Sequence, residues 1–223
     1  MRQFAVFGLG IFGHSIALAL YKQGFTVIGV DIQEDPVKEL AGQITEVVQA
    51  DTTDVTVLEA LGIKNFDVAI VSIGYDIQSS VLTTLALKEL GLHQVIARAI
   101  NGLHGKILEK IGADQVIFPE RDMALRVART LAFPHALRTE ELFPGHSIVE
   151  SKIPTALHGL SLGKAQLRNH FGITVVAIQR QNDYIVSPSA SDMLEKGDVI
   201  FLLGSEQQLK KYFKETQNRT YGG

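Results

Sequence analysis

The sequence predicts an α/β protein: a doubly wound parallel sheet of six strands, followed by a small α+β domain. Three observations predict it. Short apolar runs alternate with helical patterns through the first half of the chain. The spacing Gly8-x-Gly10-x-x-Gly13 separates the first run from the first helical pattern. After residue 147 strand patterns dominate, with a hairpin signal at Gln181-Asn182-Asp183.

The first run, residues 3–7, reads QFAVF and is β-prone. Comparable runs lie at 26–30, 46–49, 68–72, 95–99 and 115–118. Helical patterns fill the intervals at 13–23, 35–41, 54–61, 77–90 and 102–111. Strands that are apolar on both faces and separated by helices imply a parallel sheet covered on both sides. Six strands with five crossovers complete a Rossmann-like sheet by about residue 118. A helix then runs from Pro119-Glu120-Arg121-Asp122 to about residue 132. Its Met123, Val127 and Leu131 share one face, beside the small Ala124 and Ala128. It packs on its own sheet or serves as a crossover or dimer helix. Phe133-Pro134-His135 and Phe143-Pro144-Gly145 punctuate a boundary near 135–147. Beyond it, strands are expected at 147–153, 174–180, 184–186 and 199–203, with helices at 164–170 and 206–214. The expected division is residues 1–135, residues 136–216 and a frayed tail at 217–223.

Composition narrows the function. The 223 residues are 46% hydrophobic and 20% charged, enough for one large or two small cores. There is no cysteine, so disulfides and cysteine-based zinc sites are excluded. The net charge is −3 with both signs interspersed, so no basic stripe points to nucleic acid. The opening stretch FAVFGLGIFGHSIALAL superficially resembles a signal peptide or membrane anchor. It holds three helix-weakening glycines, however, and a spanning helix needs about 20 apolar residues. The chain reads as soluble.

The glycine spacing gains meaning from its context. It follows a strand, opens a helix, and is followed by Val30-Asp31 at the end of the second strand. The glycines allow a tight turn and close approach of a pyrophosphate to helix N-terminal amides. Asp31 would accept hydrogen bonds from the ribose hydroxyls of an adenosine, and its charge would repel a 2′-phosphate. NAD, ADP or ATP therefore fits better than NADP. Other strand ends carry Asp51-Thr52, Ile73-Gly74-Tyr75 and Arg98-Ala99-Ile100. Asp51 could bond the adenine amino group or cap the next helix. Arg98, the one basic residue at a central strand end, is expected to pair with phosphate rather than with a surface carboxylate.

Other signals lack the partners their chemistry needs. Gly159-Leu160-Ser161-Leu162-Gly163 matches a nucleophile elbow, but no Asp or Glu stands between Ser161 and the last histidine, His170. No His-x-x-x-His pair suggests a catalytic zinc. Asn218-Arg219-Thr220 formally matches a glycosylation site. His104 and Lys106 could be nominated as the proton donor of a small NAD-dependent oxidoreductase, the rival reading. A DNA-binding role ranks last, for want of a basic helix-turn-helix. A nucleotide fold without evident catalytic equipment suggests a sensor rather than an enzyme.

The stretches FAVFGLGIFGHSI, VIGVDI, VVQADTTD, NFDVAIVSIGYDIQSSVLTTLALKELG and KILEKIGADQVIFPERDMA, with LHGLSLGKAQLRNHFGITVVAIQR, IVSP and LEKGDVIFLLG, span nearly the whole chain. In them the sequence resembles the cytosolic regulatory subunits of Ktr/Trk-type potassium uptake systems, built on RCK domains that regulate potassium conductance. The resemblance implies a cytoplasmic homodimer assembling into a ring, commonly an octamer, docked on a membrane potassium-translocating subunit at the inner face of the cell membrane. It implies ADP/ATP or NAD(H) as ligands. The implied pocket comprises Gly8, Gly10, Ile11, Phe12, Gly13, Asp31, Ile32, Asp51, Thr52, Ile73, Gly74, Tyr75, Arg98, Ala99, Ile100, His104 and, at a dimer contact, Glu120. Glu120 would also help hold a divalent cation, Mg2+ or Ca2+. The C-terminal domain resembles one that binds cyclic di-AMP in several relatives, through Leu162, Gly163, Gln166, Arg168 and Pro188 here. Two departures stand out. Ile11 occupies the place of a family arginine, removing a charge-assisted contact of about 1.5–3 kcal/mol at the terminal phosphate. This bears on ATP-over-ADP discrimination more than on ADP or NAD binding. Gln166 stands where an acidic residue is common.

Overall fold

Strand β1 (Gln3–Phe7) has nowhere to expose its side chains. Ala5 and Phe7 point into one apolar cluster, and Phe4 and Val6 into another. That two-faced burial repeats in β2 (Thr26–Asp31), where Ile28 and Val30 join the first cluster and Val27 the second. In β4 (Val68–Val71), Ala69 and Val71 alternate with Val68 and Ile70 in the same way. A period of two with both faces apolar requires helices on both sides. The structure, a computed structural model, describes residues 2–133 and 136–218.

With β3 (Glu46–Gln49), β5 (Gln94–Arg98) and β6 (Gln115–Ile117), the strands form a six-stranded parallel sheet ordered β3-β2-β1-β4-β5-β6. Helices α1 (Ile11–Lys22) and α2 (Glu34–Leu40) cover one face through Ala17 and Leu40. Helices α3 (Val55–Ala60), α4 (Ile77–Glu89) and α5 (Gly102–Lys110) cover the other through Leu58, Leu87 and Leu108. Burying each such side chain contributes about 1.5–3 kcal/mol. The winding reverses between β1 and β4, where ligands bind in open α/β sheets, outside the carboxyl ends of the strands. Helix starts are set by short polar residues: Asp54, Asp76 and Asn101 accept the backbone N–H bonds of Thr56, of Gln78 and Ser79, and of His104.

The chain divides into two units, Met1–Arg121 and Asp122–Gly223. Helix α6 (Pro119–Leu131) crosses the division, and none of its residues is buried. Its apolar face, Met123, Val127 and Leu131, is exposed.

The second unit is a five-stranded antiparallel sheet ordered β10-β9-β11-β8-β7. Its strands are β7 (Ala136–Phe143), β8 (His146–Lys152), β9 (Thr174–Arg180), β10 (Asp183–Val186) and β11 (Val199–Ser205). Helix α9 (Glu206–Asn218) buries Leu209, Tyr212 and Phe213 against Val149, Ile178, Ile200 and Leu202. Two sequence expectations need correction. Residues 136–143 were expected as a boundary segment but form the edge strand β7. Its Glu140 and Glu141 pair with Arg126 (3.0 Å) and Arg129 of α6. A polar edge strand with one solvated face leaves little periodicity to read. The single helix expected over 164–170 is two, α7 (Leu162–Ala165) and α8 (Leu167–Phe171), broken where Gln166 takes φ +47°. The expected tail at 217–223 overlaps the end of α9. Residues 219–223, with part of the Asn218-Arg219-Thr220 match, lie outside the described residues, as do Pro134 and His135.

A buried carboxylate fixes the hairpin side of this sheet. Asp198, 1% exposed, accepts Nε and Nη2 of Arg180 at 3.0 and 2.9 Å and the Glu195 N–H at 2.8 Å. Burial pushes its carboxyl up, but the Arg180 bonds and charge and the Glu195 N–H outweigh this and hold it below the ordinary 3.8. The stabilisation is therefore full above the ordinary carboxylate value and is lost as pH falls through the lower folded-state value. Arg180→Met leaves the charge unpaired. Urea denaturation of this variant is expected to show a loss of about 3 kcal/mol near neutral pH. The loss should shrink as the medium is acidified, because the stranded carboxyl then takes up a proton.

Candidate functional site

The turn from β1 to α1 is built around three glycines with three different duties. Gly8 has φ +86°, and a Cβ there would lie 2.9 Å from the Ile73 nitrogen. Gly13, in the first turn of α1, packs on the Gly8 carbonyl oxygen, which any side chain would overlap. Gly10, the N-cap residue of α1, has nothing within 4 Å of where a Cβ would stand. The first two glycines are needed by the fold. The third leaves open space before the first amides of a helix, where an anion is favoured. The donor set and the open approach fit a nucleotide pyrophosphate.

Asp31 ties this turn to the next strand. Its Oδ2 accepts the Leu9 N–H at 2.6 Å and its Oδ1 the Gln33 N–H at 2.8 Å. An ionised carboxylate has about four acceptor positions, so two remain for ribose hydroxyls. Asp51 is exposed and accepts the N–H and hydroxyl of Thr53 at 2.9 and 2.7 Å. It does not cap the next helix, a role Asp54 takes. Thr52 is buried, sharing a hydrogen bond with Thr83 of α4 at 2.8 Å, and Ala99 is buried as well. These two can offer a ligand only backbone.

The far side of the strand ends is polar and closely packed. Arg98 pairs with Glu120, and its Nη1 donates to the Ser72 carbonyl at 3.4 Å. In one chain, then, the carboxylate partner expected as the lesser alternative is the one present. Gly74 makes room for this arginine: a Cβ there would lie 2.6 Å from Nη1. His104 is 2% exposed, and its Nδ1 accepts the Ile100 N–H at 3.4 Å. Burial pushes its pKa down, which favours the neutral ring. Ile11, Ile32, Tyr75 and Ile100 are exposed at the rim, whereas Phe12 and Ile73 are partly buried. Among the described residues no group of three or more His, Cys, Asp or Glu could hold a metal ion, so within one chain Glu120 lacks companions for a divalent cation.

Sequence reasoning missed Ser72. It is 3% exposed, its N–H donates to the Phe7 carbonyl at 2.7 Å, and its hydroxyl has no partner among the described residues. That hydroxyl lies 3.1 Å from the Cβ position of Gly13, beneath the turn. Its place directly after a fully buried strand was the available signal.

In the second unit Leu162, Gly163, Gln166, Arg168 and Pro188 line one cavity of about 300 Å³, with Ser189 and Ala190. The left-handed Gln166 turns α7 into α8 around it. Ser161, the candidate nucleophile, accepts the Lys164 N–H at 3.4 Å as the N-cap of α7, a structural duty.

The TrkA-N domain family matches residues 4–119, and the TrkA-C domain family matches residues 146–217. The chain is 44% identical over 213 residues to Ktr system potassium uptake protein C of Bacillus subtilis (strain 168), covering 96% of each. It is 39% identical to Ktr system potassium uptake protein A of the same organism, again covering 96% of each. This chain belongs to the TrkA/Ktr family of potassium uptake proteins. The fold of the family is shared more widely. The GsuK RCK domain superposes with a TM-score of 0.64 at 20% identity, over 96% of this chain and 47% of that one. A GsuK channel bound to NAD gives 0.61 at 20%, over 93% and 38%. The chain thus spans about half or less of those solved structures. No described helix is long and apolar enough to cross a membrane.

The glycine duties separate experimentally. Gly13→Ala should cost about 3 kcal/mol or more by forcing α1 off the Gly8 carbonyl. Gly10→Ala should cost no more than about 1 kcal/mol, the ordinary penalty at an N-cap. Thermal and urea unfolding of the two variants measures both.

Proposed function

We propose that this chain is the nucleotide-binding regulatory subunit of a potassium transport system. It takes ADP, ATP or NAD(H) at the β1–α1 turn and controls a membrane potassium-translocating partner from the cytoplasmic side. One observation carries the reading: the open N-cap at Gly10 stands beside a turn whose geometry is fixed by Asp31. Family membership supplies the potassium context. Residues 1–135 would form the nucleotide domain and residues 136–216 the C-terminal domain. Homodimers would assemble into a ring, in the manner the resemblance implies, with an octamer as the expected size and Glu120 at the dimer contact. There it would gain the companions a divalent cation needs. The cavity at Arg168 and Gln166 is the place for a second ligand, for which cyclic di-AMP is the candidate.

A ligand can bias the gate only by the difference in its affinity for the two ring shapes. Nucleotide occupancy is thus the first quantity to establish. Isothermal titration with ADP, ATP and NAD+ should show binding in the micromolar range or tighter, and Asp31→Ala should weaken it at least about ten-fold, the scale of one or two hydrogen bonds to a charged group. Mass spectrometry of heat-released ligand should find an adenine nucleotide. No binding, or binding indifferent to Asp31→Ala, would sink the proposal. NAD-dependent turnover followed at 340 nm over a substrate panel would favour the oxidoreductase alternative.

A further inference from the structure

The carboxyl ends of β1, β2 and β3 lie side by side, and each carries a different kind of group. The glycine turn follows β1, Asp31 ends β2, and Asp51 follows β3. A nucleotide with its phosphates at the turn and its ribose at Asp31 therefore points its base toward the loop after β3. That loop opens on an exposed carboxylate, Asp51, whose bonds from the Thr53 N–H and hydroxyl both fall on Oδ1. Its Oδ2 is free to accept more. A carboxylate only accepts hydrogen bonds, so it suits the exocyclic amino group of adenine and opposes the carbonyl oxygen that guanine or hypoxanthine carries at the same position.

The loop is held from behind. Among the described residues, one hydrogen bond ties residues 51–53 to an element other than β3 and α3: the Thr52 hydroxyl meets the Thr83 hydroxyl at 2.8 Å. Thr83 belongs to α4, which packs on β4 and β5, beyond the point where the winding reverses. The bond thus joins the base side of the cleft to the opposite half of the sheet. Both threonines are buried, Thr83 completely. Burying a hydroxyl is unfavourable unless it is paired. On the same side of the sheet α3 and α5 bury Leu58 and Leu108. Valine at position 83 would serve the core equally; the hydroxyl serves the loop.

We infer that Thr83 is a positioning residue for base selection: it holds Thr52, and so sets the Asp51 carboxylate where it accepts the amino group of adenine. Thr83 itself, fully buried, touches no ligand. The inference rests on the nucleotide reading above.

The test is titration calorimetry on the full chain with ADP and with inosine diphosphate, which carries the carbonyl oxygen in place of the amino group. The unaltered chain is expected to bind ADP at least about ten-fold more tightly. Thr83→Val keeps the shape of the side chain and removes its hydroxyl. It should weaken ADP about five-fold or more and inosine diphosphate less than about two-fold. Thr83→Ser returns the hydroxyl and should bring the ratio back to within about two-fold of the original. Asp51→Ala, on the exposed loop, should abolish the ratio, and adding Thr83→Val to it should change the ratio no further. Equal losses for the two nucleotides in Thr83→Val would mark a merely structural role and overturn the inference. So would a ratio untouched by Thr83→Val or by Asp51→Ala, or no preference for ADP in the unaltered chain, each leaving the nucleotide reading intact. Absence of binding by both compounds would overturn the nucleotide reading and the inference together.

Discussion

Helix α1 must leave the end of β1 with no side chain between them. Gly13 rests on the Gly8 carbonyl, and that contact sets where the helix axis meets the sheet. The placement of the first helical amides, the position of Gly10 and the reach of Asp31 to the Leu9 N–H all follow from it. Packing on the sheet face follows too, because Ala17 enters the apolar cluster of Val6 and Leu40 only if α1 starts so close. One steric constraint thus serves both the core and the cleft. Glycine there is required even with no ligand bound, so its presence alone says less about function than the open approach at Gly10 does.

Charge is the second organising quantity. Carboxylates at the strand ends do structural work before any ligand arrives: Asp31 holds the turn, Asp54 and Asp76 start helices, and Glu120 holds Arg98. Each satisfies backbone amides or a guanidinium that would otherwise depend on solvent. The result is a cleft of acidic net character, in which the Ser72 hydroxyl, Arg98 Nε and His104 Nε2 are buried without a hydrogen-bond partner among the described residues. A nucleotide bound there would bring negative phosphates into that field, so its affinity would have to come from uncharged contacts such as backbone amides and apolar surface. Ile11, Ile32 and Tyr75 are exposed and give the rim an apolar surface.

The sheet was legible because its strands are buried on both faces, which leaves apolar runs that only a covered parallel sheet accommodates. Strand β7 was not legible for the opposite reason. It lies at an edge, buries only Thr139 fully, and spends Glu140 and Glu141 on arginines of α6. The break at Gln166 left no mark either, since a left-handed residue that is neither Gly nor Asn has no reliable compositional signature. In the cleft, residue types were legible but their partners were not. Asp31 was read as a ribose acceptor, and its bond to a backbone amide 22 residues away exists only in three dimensions. Arg98 reads as a phosphate residue, and its pairing with Glu120 within the chain has no mark in the sequence. Ser72 was missed because a serine after a strand is ordinary until its hydroxyl is found buried beneath a glycine turn.

The Arg98–Glu120 pair shows how such prior engagement bears on binding. Glu120 lies in the first turn of α6, where a carboxylate interacts favourably with the helix N-terminus, and it holds a guanidinium that begins at the end of β5. Any phosphate oxygen that takes this guanidinium must replace a carboxylate already in place, so the net gain is the difference between two charge-assisted bonds and not the whole of one. A ligand without a terminal phosphoryl group need not make that exchange. Ligands that do and do not exchange would therefore leave the start of α6 with different partners. That difference, and not affinity as such, is the quantity a conformational equilibrium can respond to.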